Sequence, residues 1–110
     1  MLPKSNRITL PSDFYKIKKF GKRISNTFFS ISFIKDSSID TPLFSVIVSK
    51  IIAKKSTQRN KLKRITKGII IRNKNNLPTG VKCLVFPKFV ILNSKNIEIE
   101  SELLKLFKQI

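Results

Sequence analysis

An α+β two-layer sandwich, with its elements in the order αββαβα, is the fold that this sequence predicts. Three observations carry it. Apolar residues recur at helical spacing in three segments. They alternate or run together in three others, and turn-forming residues separate the blocks. At 110 residues the chain suits a single core. It shows no internal repeat and no dividing linker, so residues 1–110 are expected to form one domain.

The first helix is expected over residues 12–20. Ser12 can cap it, and Asp13 stands in the first turn, where the helix dipole favours a carboxylate. Phe14, Ile17 and Phe20 form its apolar stripe, and Gly21 stops it. Residues 27–35 then alternate, with Phe29, Ile31 and Phe33 on one side and Ser30 and Ser32 on the other. That is a half-buried strand. Asp36, Ser38, Asp40 and Pro42 mark a turn, and residues 43–50 make a second strand. The two strands are expected to pair as an antiparallel hairpin.

A long helix follows at about 57–75. Leu62, Ile65, Ile69 and Arg72 share its core side, with the Arg72 stem along the core edge. Arg59, Lys63 and Lys67 share another stripe, with Asn60 and Arg64 beside it. Leu77-Pro78-Thr79-Gly80 breaks the helix, and residues 81–86 form a short, mostly apolar strand. Asn96 can cap a last helix whose core face is Ile99, Leu103, Leu106 and Ile110. The helices are expected on one face of the small sheet.

Charge points to the partner. The chain carries 23 Lys and Arg against 6 Asp and Glu, a net +17. Such an excess strains a compact fold and suits a polyanion. No acidic residue lies between positions 41 and 97, where a merely soluble surface would mix signs. The densest stretch is 58–65, where Arg59, Asn60, Lys61, Lys63 and Arg64 lie within six positions.

The same composition argues against self-sufficient catalysis. There is no histidine, hence no common general base and no common metal ligand. Cys83 stands in a strand pattern without a partner base, and reads as core. The carboxylates are scattered, and three glycines make no phosphate loop. A protein nuclease would normally hold Mg²⁺ with clustered carboxylates. A binding protein is expected, with any metal site belonging to a partner. One cysteine precludes an internal disulfide and fits a reducing compartment. No apolar run is long enough to cross a membrane, and the N-terminus lacks a signal-peptide apolar region. The expected location is the cytoplasm.

Three blocks in register carry a resemblance. They are Leu2-Pro3-Lys4, Asn6-Arg7-Ile8, Asp13-Phe14, Ile17, Gly21 and Arg23; then Val48-Ser49-Lys50, eight residues, and Arg59-Asn60-Lys61-Leu62-Lys63-Arg64; then Leu77-Pro78-x-Gly80 before a strand. Together they resemble the bacterial ribonuclease P protein component across nearly the whole chain. The resemblance implies a protein that binds a large catalytic RNA and helps it remove the 5′ leader from precursor tRNA. It implies that the RNA holds the Mg²⁺ ions, that the protein alone is inactive, and that one protein joins one RNA. Arg59, Asn60, Lys61, Lys63, Arg64, Lys67, Lys50 and Lys54 are implied to face RNA. Phe14, Ile17, Arg7, Ser30 and Ser32 are implied to form a groove for the single-stranded leader. A left-handed βαβ crossover through the basic helix is implied as well, against the usual right hand.

Bland readings stand beside these roles. Phe14 on an amphipathic helix can simply be buried, and Asn60 can brace the helix start. Several positions depart from the family pattern. Lys61 replaces an Arg and loses the bidentate fork. Lys18 and Ser32 stand where relatives carry aromatics, which leaves leader contact more electrostatic. Phe86-Pro87 replaces an Arg-Pro, removing a basic group at the strand end. A small ribosomal RNA-binding protein would share the charge and the pattern. A cationic membrane-surface protein would need an exposed apolar helix face.

Overall fold

The computed structural model describes residues 7–8, 11–77 and 79–110. Leu2, Pro3, Lys4, Asn6 and Pro78 of the motifs lie outside the described residues. The elements are α1 (Pro11–Phe20), β1 (Lys22–Ser25), β2 (Phe29–Lys35), β3 (Leu43–Val46), α2 (Ser56–Arg72), β4 (Val81–Pro87) and α3 (Asn96–Lys108). Short 3₁₀ turns at Lys74–Asn76 and Phe89–Asn93 follow α2 and β4.

The α+β class is as expected, but the strand pairing is not. The sheet order is β1-β2-β4-β3. β4 lies between the two strands expected to form a hairpin, antiparallel to β2 and parallel to β3. Leu84 therefore faces Ser32 on one side and Ser45 on the other. The reason is visible in β4 itself. Val81, Cys83, Leu84 and Val85 are buried on both of its faces, which only a central strand permits. Gly80, at φ +66, delivers the chain into that position, and its carbonyl accepts the Asp36 N–H at 2.7 Å.

The first strand, β1, is absent from the expected order. It pairs antiparallel with β2 through a turn built on Asn26. The Asn26 side-chain oxygen accepts the N–H groups of Phe28 and Phe29, both at 3.0 Å. Its amide donates to the Glu102 carbonyl at 3.0 Å, which ties the turn to α3.

The two sheet faces are also covered differently from the expectation. Phe29, Ile31, Phe33, Val81, Cys83 and Val85 bury one face beneath Leu62 and Ile69 of α2 and Ile99, Leu103 and Leu106 of α3. The opposite face carries α1, through a smaller cluster of Ile8, Ile17 and Leu84. The helices thus occupy both faces, not one. The stripe of α1 explains the outcome. Ile17 is fully buried and Phe14 partly so, but Phe20 is 71% exposed. Pro11 takes the first helical position, where its missing N–H costs nothing, so Ser12 lies inside the helix and does not cap it.

Asp13 is more than a dipole partner. It is buried, and Lys82 of β4 donates to it at 2.9 Å and lies 3.2 Å from Asp36. This triad fastens α1 to the sheet. Gly21 permits the close crossing that follows, since a Cβ there would sit 2.3 Å from the Ile17 carbonyl oxygen.

Candidate nucleic-acid interface

The basic helix α2 begins after Lys55, which has no side-chain capping bond, and no acidic residue stands in the first turn. The helix N-terminus therefore adds its partial positive charge to that of the lysines. Leu62, Thr66, Ile69 and Ile70 are buried, and Ile65 packs partly against the same core. Thr66 survives there because its hydroxyl donates to the Leu62 carbonyl at 2.8 Å. Asn73 ends the helix, its backbone and side-chain N–H groups both reaching the Ile69 carbonyl.

The remaining circumference is basic. Asn60, Lys61 and Arg64 are exposed, while Lys63 and Lys67 are half-buried by their stems. Asn60, Lys63, Arg64 and Lys67 line one shallow depression of about 400 Å³, floored by Gly68 and Ile71. Such a surface attracts phosphates and supplies amide and guanidinium donors to hold them. Asn60 lies a full turn inside α2, so it does not cap the helix start.

Arg59 behaves differently from its neighbours. Its Nη1 donates to the carbonyls of Ala53 and Lys54, at 2.9 and 2.8 Å. It is half-buried, and it ties the loop before α2 back onto the helix. Ser49 organises the other end of that loop, its carbonyl accepting the N–H groups of Ile52 and Ala53. Lys50 and Lys54 are displayed from this braced loop and are exposed.

The expected leader groove is only partly formed from the expected residues. Ile17 has no exposed surface, so it supports the groove from below and is not itself reachable. Ser30 and Ser32 are buried as well, at 5% and 7% exposure. Phe14 remains partly open, beside Leu43, Ile47 and Phe86. Arg23 joins the groove although only the resemblance blocks mention it. Its Nε donates to Ser30 Oγ at 3.0 Å and its guanidinium lies 5.1 Å from the centre of the Phe86 ring. Arg23 of β1 thus places a basic group beside Phe86, near the end of β4. No periodicity signals this, because β1 is too short and too polar to stand out.

Arg7 joins the other side. It forms a parallel bridge with Phe44, and lines a small cavity of about 80 Å³ with Ser45 and Lys67. Its Nε is buried without a hydrogen-bond partner. The structure therefore groups Arg7 with α2. Among the described residues no cluster of His, Cys, Asp or Glu is able to hold a metal ion. No helix among them is long and apolar enough to cross a membrane.

The sequence matches the Ribonuclease P family over residues 2–110. The chain belongs to the ribonuclease P protein family. The ribonuclease P protein component of Thermotoga maritima is 37% identical over 82 residues, covering 74% of this chain and 68% of that protein. That of Desulforapulum autotrophicum is 29% identical over 108 residues, covering 98% and 91%. The solved structure of the T. maritima RNase P protein is similar at TM-score 0.85 and 32% identity, covering 94% of this chain and 96% of that one. The Staphylococcus aureus RNase P protein, at 24% identity, shares the fold with TM-score 0.81. As a ribonuclease P protein, the chain is a subunit of an endoribonuclease, partnered with RNase P RNA.

Proposed function

We propose that this ribonuclease P protein docks on the catalytic RNA through α2 and its preceding loop, and holds the leader of precursor tRNA on the α1 side of the sheet. The family assigns a role in tRNA 5′ processing together with the RNA subunit. The observation that carries the docking surface is the exposed Asn60, Lys61 and Arg64 face, on a helix without one acidic residue. Lys63, Lys67, Lys50 and Lys54 extend it, and Arg7 adds a guanidinium beside Lys67. Arg59 positions the loop that displays Lys50 and Lys54.

For the leader, Phe14 and Phe86 offer aromatic surface and Arg23 a cation. A single strand binds to such a combination by stacking and phosphate attraction. Ser30 contributes by holding Arg23. In this reading the Mg²⁺ ions are held mainly by the RNA partner, where they would supply activation of water for hydrolysis. One protein serves one RNA, in the cytoplasm.

Reconstitution tests this reading. The protein, mixed with its cognate RNase P RNA, is expected to lower the Mg²⁺ needed for cleavage of precursor tRNA and to tighten substrate binding. A protein that does neither refutes it. Binding to ribosomal RNA without any effect on cleavage would favour a structural RNA-binding role.

A further inference from the structure

The outward side of α1 carries two large aromatic rings in water. Tyr15 and Phe20 are 59% and 71% exposed, and neither joins an apolar cluster of the described residues. Lys19 links them. Its Nζ donates to the Tyr15 hydroxyl at 3.0 Å and lies 5.4 and 5.6 Å from the centres of the Tyr15 and Phe20 rings. Phe20 also forms one wall of a cleft of about 390 Å³, whose other sides include Lys22, Ile24, Phe33 and Lys35. Ile24 and Phe33 belong to the main core, so the cleft floor is apolar and fixed.

Among the described residues, the charged side chains that line this cleft are Lys22 and Lys35, both basic, and Gln109 and Ile110 also line it. Lys22 and Lys35 are exposed at its rim, and Lys16, Lys18 and Lys19 lie on the same helix as Phe20. The sole acid of α1, Asp13, is buried and committed to Lys82. The cleft is also distant in the fold from the docking helix. It lies at β1, one edge of the sheet, whereas α2 packs over β3 and β4 towards the other edge.

A flat ring beside an apolar slot, with ammonium groups at the rim, fits an unpaired nucleotide. The base enters the slot or stacks on the ring, and the flanking phosphates meet the lysines. An acidic peptide would satisfy the lysines and leave the planar surface unused. We propose that Tyr15, Phe20 and the cleft edged by Lys22 and Lys35 form a second site for single-stranded RNA, separate from α2 and from the Phe14 groove. The proposal goes beyond the docking and leader assignments and does not depend on them.

Tyr15 makes the site directly observable. It is the one tyrosine of a chain without tryptophan, so intrinsic fluorescence reports this place alone. The full chain is titrated with hexaadenylate, with correction for absorbance. Saturable quenching of Tyr15 is expected. Phe20→Ala, at an exposed position, is expected to raise the midpoint at least about fivefold, the effect of losing one base stack. The double variant Lys22→Gln/Lys35→Gln is expected to raise it too and to flatten its salt dependence. Lys63→Ala/Arg64→Ala is expected to leave the tyrosine midpoint unchanged while weakening binding to RNase P RNA, so failure here and failure of the docking assignment are separable. Absent quenching overturns the proposal, as does a midpoint indifferent to Phe20→Ala. Stronger quenching by polyglutamate would assign the site to acidic peptides. Sedimentation showing a dimer that Phe20→Ala dissolves would assign it to a second copy. Either result refutes the RNA site.

Discussion

Lys82 Nζ, projecting from the inner strand β4, donates to Asp13 of α1 at 2.9 Å, with the two side chains only 13% and 7% exposed. One helix is thereby fixed to the sheet by an almost fully desolvated ion pair. Removing one member of such a pair strands the other charge, which costs about 3–5 kcal/mol. Lys82→Met is expected to lower unfolding free energy by roughly this range, measured by urea denaturation. A loss below about 0.5 kcal/mol, as at an ordinary surface position, would show that the pair does not hold α1.

Acid should loosen the same region. The Ser38 hydroxyl and backbone N–H, together with Lys82, hold the Asp36 carboxyl down at about 2 from its ordinary 3.8. The folded state therefore binds fewer protons than the unfolded state, and Asp36 contributes fully above 3.8. That contribution is expected to fade as pH falls towards 2. The partner hydrogen bonds push Lys82 upward, so its share is complete below 10.5 and is lost only as pH rises through its higher folded value. Thermal melts across pH check this. Asp36→Asn is expected to flatten the acid limb, and an unaltered limb would contradict the assignment.

Cys83 is expected to be silent. It has no exposed surface, and burial pushes its thiol up to about 12. Thiolate is the reactive form, so labelling of the native protein by a disulfide reagent at neutral pH is expected to track global unfolding. Fast, stoichiometric labelling in native buffer would contradict the burial.

Arg59 and Arg64 should separate structure from docking. Arg64 is exposed, and Arg64→Ala is expected to reduce the salt slope of RNA binding by about 0.7–0.9 for each phosphate it neutralises, with stability unchanged. Arg59 holds two backbone carbonyls. Arg59→Ala is expected to cost about 1–3 kcal/mol of stability from charge-assisted hydrogen bonds, and to weaken RNA binding through the loosened loop. Equal behaviour of the two variants in denaturation would undo the distinction.

The elements are more legible in the sequence than their arrangement. The periodicity of 57–75 reports α2 through Leu62, Ile65 and Ile69, which join one core, but the helix stops at Arg72, whose side chain is exposed and pairs with Glu100. The alternation of 27–35 assigns Phe29, Ile31 and Phe33 to one face and Ser30 and Ser32 to the other, but the strand expected to be half-buried is buried on both faces. Pairing is misleading because a turn between two strands suggests a hairpin, whereas the doubly buried β4 competes for the same edge. Phe20 misleads because spacing shows which residues share a stripe but not where the partner surface stops. The basic face is visible in charge alone. The Arg23–Phe86 pair and the Arg59 tether are not, since each depends on neighbours distant in space or turned by a loop.

The position of β4 also sets when this protein is able to fold. This strand, one of the two inner strands of the sheet, is the last of the four along the chain. On the ribosome, β2 and β3 emerge long before the strand that joins them. Most of the sheet must wait while the connection from Lys35 to Val81 closes on itself, an entropic toll that local helices avoid. Until then β3 lacks its strand partner and has only the Arg7–Phe44 bridge among the described residues, and β2 offers a bare side to any passing strand. The +17 charge, which strains the finished fold, keeps such nascent chains apart.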